Sequence, residues 1–225
     1  MKKLIMILLL VSFAFGSVYA QIQMSAGGGA FLNADFGNSG FDITVPSYGT
    51  AYSEKFKHSG FGLFAFFDIT YIEFSLGILW GSVDFSYLDA LYYGVIGSAT
   101  LDMSSIHIGV LGKYPIVIND GFAVFPAVGI DYQIISKLAY EGISMPNYKD
   151  LSSLWIRFGG GLNYHFNGPM YIRGTLLYGV KLPSKYENDM KNAVTSDLAI
   201  YGYNSTADNV IGNGVQLKFA VGYMF

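Results

Sequence analysis

The final eleven residues, Val215 to Phe225, alternate without a break. Val215, Leu217, Phe219, Val221, Tyr223 and Phe225 fall on one side of an extended chain, and Gln216, Lys218, Ala220, Gly222 and Met224 on the other. A period of two marks a β-strand, and about ten residues is the length a tilted strand needs to cross a bilayer, with aromatics at the water interfaces. The larger apolar members form the face that lipid would meet, so the segment belongs to a closed, membrane-type sheet.

The opposite end fits export. Met1-Lys-Lys3, the apolar run from Leu4 to Phe15 and then Val18-Tyr-Ala20 have the three parts of a secretory signal peptide, with cleavage expected after Ala20. A retained membrane helix needs a longer apolar run. Gln21 follows the expected cleavage site, so no lipid-modified cysteine is implied. Two segments result: residues 1–20 as a cleaved signal peptide and residues 21–225 as one domain. Removing Lys2 and Lys3 takes the formal charge from −3 to −5, which argues against nucleic acid as a partner.

Hydrophobic residues make up 52% of the chain and charged residues 13%, yet after residue 20 no apolar run reaches the length of a membrane helix. The apolar character is dispersed over alternating positions instead. With no cysteine, disulfides and thiolate chemistry are excluded. The 18 Tyr, 18 Phe and 28 Gly suit a closed sheet with girdle aromatics and small lumen residues.

Eight segments carry the alternation: residues 22–35, 59–67, 71–83, 101–114, 122–134, 154–166, 170–182 and the terminal strand. The third sorts its faces well, with Ile72, Phe74, Leu76, Ile78 and Trp80 against Glu73, Ser75, Gly77, Leu79 and Gly81. The links at 68–70, 115–121 and 167–169 are short, and Asn167-Gly168 is a hairpin signal. The four others, roughly 36–58, 84–100, 135–153 and 183–214, are long and hold most of the Pro, Asn, Ser and Asp. The expected fold is therefore all-β, an eight-stranded antiparallel up-and-down transmembrane barrel with short periplasmic turns and four long extracellular loops.

Aromatic positions provide a separate check. Tyr71, Tyr114, Tyr164, Tyr223 and Phe225 fall beside short turns or the C-terminus, and Trp80, Tyr132 and Tyr178 at the far strand ends. Eight tilted residues rise roughly 20 Å, close to the ~25 Å apolar band of such barrels, so these residues are expected to form two membrane girdles. A soluble lipocalin-like barrel would place its apolar residues inside instead.

In these features the chain resembles the small eight-stranded outer-membrane barrels of Gram-negative-type bacteria, the OmpA-transmembrane, OmpX and OmpW-like group. The resemblance is architectural, and its most specific element is Phe225 with Tyr223, Val221, Phe219 and Leu217 behind it. It implies that these five form the signal read by the outer-membrane assembly machinery, and that the protein is a monomer lodged in outer-membrane lipid.

An eight-stranded barrel is only wide enough inside for its own side chains. Parity sends Glu73, Lys113, Asp131, Arg157, Arg173, Lys181 and Lys218 into the lumen, and also Asp35 and Asp68. A register that sets Trp80 opposite Ile106 makes Glu73 face Lys113, and the next hairpin brings Asp131 opposite Arg157. Matched pairs form a structural plug, because unpaired charges there would be costly.

Catalytic, cofactor and metal sites are not indicated. His107 and His165 have lumen parity and His58 is expected in a loop near the outer rim; Ser59 beside it must face the opposite way, which makes a poor dyad. No His/Asp/Glu spacing forms a ligand set. Gly27-Gly-Gly29 and Gly159-Gly-Gly161 lie mid-strand, where no phosphate loop can form. Two function classes follow. One is a non-enzymatic surface protein whose loops, rich in tyrosines such as Tyr52, Tyr87, Tyr140, Tyr186, Tyr201 and Tyr203, meet an extracellular partner, unless those tyrosines mark strands extended above the membrane. The other is a small-solute channel of the OmpW-like kind, lined by Leu79, Leu111, Phe125 and Leu177.

Overall fold

The computed structural model of the chain describes residues 23–36, 39–46, 49–90, 95–145 and 148–225. The expected signal peptide, Gln21 and Ile22 lie outside the described residues, as do three further tyrosines of the expected loops, Tyr48, Tyr92 and Tyr93. In chain order the elements are β1 (Met24–Asp35), β2 (Ser39–Val45), β3 (Gly49–Ile69), β4 (Ile72–Asp89), β5 (Val95–Lys113), β6 (Ile116–Asn119), β7 (Phe122–Tyr140), β8 (Ile143–Ser144), a 3-10 turn at Tyr148–Leu151, β9 (Ser153–His165), β10 (Met170–Lys181), α1 (Lys185–Ile200), β11 (Thr206–Val210) and β12 (Gly212–Met224).

Eight of these close a ring in the order β1-β12-β10-β9-β7-β5-β4-β3 and back to β1, every pair antiparallel. Closure gives every ring strand a partner on both sides, which is what a sheet in hydrocarbon requires. The outward positions of β4 are Ile72, Phe74, Leu76, Ile78 and Trp80, each between 44% and 58% exposed, while Glu73 and Leu79 are 3% and 0% exposed. The outside of the ring is thus apolar and the inside mixed, the polarity expected of a transmembrane barrel and the reverse of a soluble one.

Three features depart from the expected layout. Four ring strands far outrun their expected ends, β3 reaching 21 residues, β4 18, β5 19 and β7 19, while β1, β9 and β10 keep close to theirs. β2 carries on the line of β1, pairing with β3 on one side and β11 on the other. Most of the segments read as loops are therefore a raised wall. Above Trp80 the faces exchange chemistry: Phe56, Val83, Leu101 and Met103 point inward and are buried, whereas Lys57, Asp84 and Thr100 lie on the outer face. Water outside and a core inside reverse the pattern that lipid imposed lower down, and the altered sense reads as irregular sequence.

The second departure is α1, an α-helix in what was expected to be the loop 183–214. Ser184 caps it, its hydroxyl accepting from the Glu187 N–H, while the Glu187 carboxylate accepts from the Ser184 N–H. This capping box starts a helix whose Met190, Val194 and Leu198 pack on Phe41, Ile43, Val45 and Ala51 of the wall. The third is on the periplasmic side, where the link 115–121 contains β6, a short strand paired with the start of β7.

Both hairpin registers inferred from parity are off by two residues. Trp80 stands opposite Ser104 rather than Ile106, and Asp131 opposite Trp155 rather than Arg157. A slip of two preserves which face each side chain occupies, so the inward set is unchanged.

Candidate functional site

The chemistry of the chain is concentrated in its lumen and in the cap above it. All seven lumen charges chosen from parity are buried, from 0% exposed for Arg157 and Lys181 to 9% for Lys113, and Asp35 and Asp68 join them. They lie in three tiers.

The periplasmic tier centres on Arg173 of β10. Its Nη2 donates to Asp68 Oδ2 at 2.6 Å and its Nη1 to Glu73 Oε2 at 2.7 Å, while Nε donates to Asn163 Oδ1 at 2.9 Å. Lys113 pairs with Asp68 and stands 3.7 Å from Glu73, and Lys218 Nζ is 3.8 Å from Glu73 Oε1. Three cations therefore share two carboxylates. The guanidinium also lies 4.6 Å from the centre of the Phe66 ring, whose π face favours a cation. The expected contact of Glu73 with Lys113 is present, but Asp68 is the closer partner of that lysine.

The middle tier joins Asp131 of β7 to His107 Nδ1 at 3.0 Å and to Arg157 Nη2 at 3.3 Å. The same Nη2 donates to Asn33 Oδ1 at 3.0 Å, tying β9 to β1 across the barrel. Trp155 Nε1 donates to Gln133 Oε1 at 3.1 Å, and Arg157 lies 4.3 Å from the Trp155 ring centre. Apolar residues fill the gaps between tiers, with Leu111, Phe125, Ala127 and Leu177 in one cluster. Three of the residues proposed as the lining of a solute path, Leu111, Phe125 and Leu177, pack against one another there, whereas Leu79 belongs to a separate cluster with Phe31 and Phe64.

At the outer tier, Asp35 accepts from the His58 backbone N–H at 2.8 Å and approaches its Nδ1 at 3.0 Å. His58 is 1% exposed, which corrects its expected place in a loop: the ladder of β3 runs through it and turns it inward. Ser59 takes the outer face, as alternation demands. Lys181 Nζ donates to Ser39 Oγ at 2.8 Å and to Glu187 Oε1 at 3.1 Å, pinning the first turn of α1 to the mouth of the ring. Above this anchor Tyr186 meets Phe56 edge-on at 5.9 Å, and Glu54 accepts from the Tyr52 hydroxyl.

Outside the membrane-spanning part, burial raises the Tyr52 and Tyr186 phenols above their ordinary value. Burial also opposes ionisation of Glu187, but the Lys181 ammonium and the Ser184 N–H outweigh it and hold that carboxyl below its usual range.

Parity found the charges of the ring and turns Gln133 inward, but missed Glu187, Glu54 and the neutral partners Asn33 and Tyr171. Ser184-x-x-Glu187 ahead of apolar residues four apart was a readable helix signal. The neutral partners carry no sequence signal, since their value lies in which strands face each other. The girdle residues Trp80, Tyr114, Tyr132, Tyr164, Tyr178 and Tyr223 are 37% to 49% exposed on the ring exterior, and Tyr71 stacks on Tyr114 at 5.9 Å. Of the five C-terminal signal residues, Phe219, Val221, Tyr223 and Phe225 are exposed and Leu217 is half-buried. Among the described residues no group of acids and histidines is arranged to hold a metal ion.

The chain has the architecture of a small outer-membrane β-barrel. No protein-family model matches the sequence, and no curated protein matches it. Solved structures similar to it include the outer membrane protein OprG from Pseudomonas aeruginosa, 12% identical over 91% of this chain and 96% of that one, with a TM-score of 0.47. Neisserial surface protein A is 11% identical over 90% and 97%, also with a TM-score of 0.47. The outer membrane protease OmpT from Escherichia coli is 10% identical over 90% and 97%, with a TM-score of 0.40.

Proposed function

We propose that this protein is a non-enzymatic surface barrel of the bacterial outer membrane, exported with a cleaved signal peptide. Its lumen serves as a polar plug, and its folded cap meets a partner outside the cell. One observation carries the proposal: three tiers of buried, mutually bonded charges cross the lumen, and α1 is pinned over the outermost by Lys181 and Glu187. A conducting lumen needs mobile or single-signed charge along a wet path, whereas paired ions held by hydrogen bonds resist both displacement and hydration.

The cap supports the binding role. Its wall and helix share a core, so the outer surface is folded before any partner arrives, which lowers the entropic cost of association. Ile200 and Tyr201 at the end of α1 are 79% and 68% exposed, the kind of apolar and aromatic anchor found in interfaces. Outer-membrane lipid surrounds the ring as a monomer, the assembly machinery inserts it, and no cofactor or nucleic acid takes part.

Single-channel recording of the mature chain refolded into a planar bilayer tests this directly. The expected trace has no discrete openings. Reproducible small openings, altered in Arg157→Ala or Lys218→Ala, would replace the plug with a small-solute channel through the lumen.

A further inference from the structure

At the seam between α1 and the raised wall lies an acid, Glu54, for which no ion pair is found among the described residues. It belongs to β3, points inward and is 4% exposed. Oε1 accepts from the Tyr52 hydroxyl, but Oε2 has no hydrogen-bond partner. From α1 the Tyr186 hydroxyl and the Glu187 carboxylate act on it. Phe41 of β2 and Tyr87 of β4 stand beside it in the sheet, and Asp89 of β4 is opposite Tyr52. Of the basic groups near the seam, Lys181 of β10 is bonded to Glu187 and Ser39, His58 is bonded to Asp35, and Lys55 pairs with Asp42. The seam thus brings the Glu54 carboxyl to that of Glu187, whose own cation is Lys181.

A buried carboxylate with a bare oxygen, close to a second carboxylate, disfavours the packed state. The neutral acid removes the repulsion and costs less to bury than the ionised one. We propose that Glu54 is a proton-operated latch for the cap: uptake of one proton from the medium locks α1 into the wall, and its release loosens the helix. Burial pushes this carboxyl above the ordinary carboxylate range and Glu187 adds to the rise, while the Tyr52 and Tyr186 hydroxyls act against it. For a group raised in the packed state, the stabilisation is complete below the unfolded value and is lost as pH climbs through the raised one. Glu187 is shifted the other way, so its bond to Lys181 fails in stronger acid. The cap is tightest between these two titrations.

The chain has no cysteine, so Ser98→Cys on the wall and Ser196→Cys on α1 give a unique spin-label pair. Distance distributions are recorded by double electron–electron resonance on the full mature barrel in nanodiscs, from roughly pH 5 to 8. The expected distribution is narrow at the acid end and broadens as pH rises. Glu54→Gln, which mimics the neutral acid, stays narrow throughout, whereas His58→Gln keeps the unsubstituted response. A width that does not change with pH in the labelled parent overturns the latch even if Glu54→Gln fails to fold. So does a Glu54→Gln barrel that folds and still broadens. Neither result bears on conductance, so the latch and the plug can fail separately.

Discussion

Arg173 and Asp68 lie 105 residues apart in sequence, yet their side chains meet at 2.6 Å across the lumen, and the same guanidinium holds Glu73 at 2.7 Å. No local element brings them together; only closure of the ring through β1 and β12 does. Replacing Arg173 by Met leaves Asp68 and Glu73 with the two lysines as cations and Asp68 with the Ser25 and Tyr171 hydroxyls. The expected loss is about 3–5 kcal/mol in urea unfolding of the refolded barrel, the usual range for stripping one partner from a buried ionic cluster. An unchanged midpoint would show that the lysines suffice.

Arg157→Ala removes the cation of the middle tier and leaves Asp131 with His107. We expect destabilisation of similar size, about 3–5 kcal/mol. Unchanged unfolding together with unchanged conductance would sink the structural role of this pairing.

A methyl group at Gly179 tests how closely that tier is packed. A Cβ there stands 2.5 Å from Arg157 Nη1 and 2.9 Å from the Trp155 ring, so both must shift. Gly179→Ala should cost about 1–3 kcal/mol and change the Trp155 emission. Wild-type stability with unaltered emission would mean the guanidinium has room to move.

The two tryptophans separate outside from inside. Trp80 is 47% exposed on the ring exterior and Trp155 is 0% exposed in the lumen. In bilayers with brominated acyl chains, quenching should disappear in Trp80→Phe and persist in Trp155→Phe. The reverse result would contradict the lipid-facing assignment of the β4 exterior.

Glu187→Ala breaks both the capping box and the anchor to Lys181. Hydrogen exchange of α1 should speed up by orders of magnitude while the ring strands keep their protection. Because the Glu187 carboxyl is lowered by Lys181, its contribution is present above the unfolded value and lost as pH falls through the lowered one. Slow exchange of α1 in the variant would move the anchor to the Leu198 contacts.

How much could be read in advance differs sharply between the ring and the cap. Within the membrane span, lipid outside and side chains inside force a period of two with one constant sense, so strand identity, face and inward charge were legible from Ile72 to Trp80 or from Val215 to Phe225. Above Trp80 the outside becomes water. Phe56, Val83 and Leu101 turn into core, and the same period with inverted polarity looks like a loop although the ladder never breaks.

Sequence by itself determined the closed sheet, its eight ring strands and the ring charges that face the lumen, because alternation is a one-dimensional property that any register preserves up to a slip of two. Only the tertiary structure decided which charges meet, that Asp68 outranks Glu73 as the partner of Lys113, that His58 belongs to the lumen, and that α1 closes the mouth. Those outcomes depend on distances across the ring, which ring closure and strand register set and no stretch of neighbouring residues encodes.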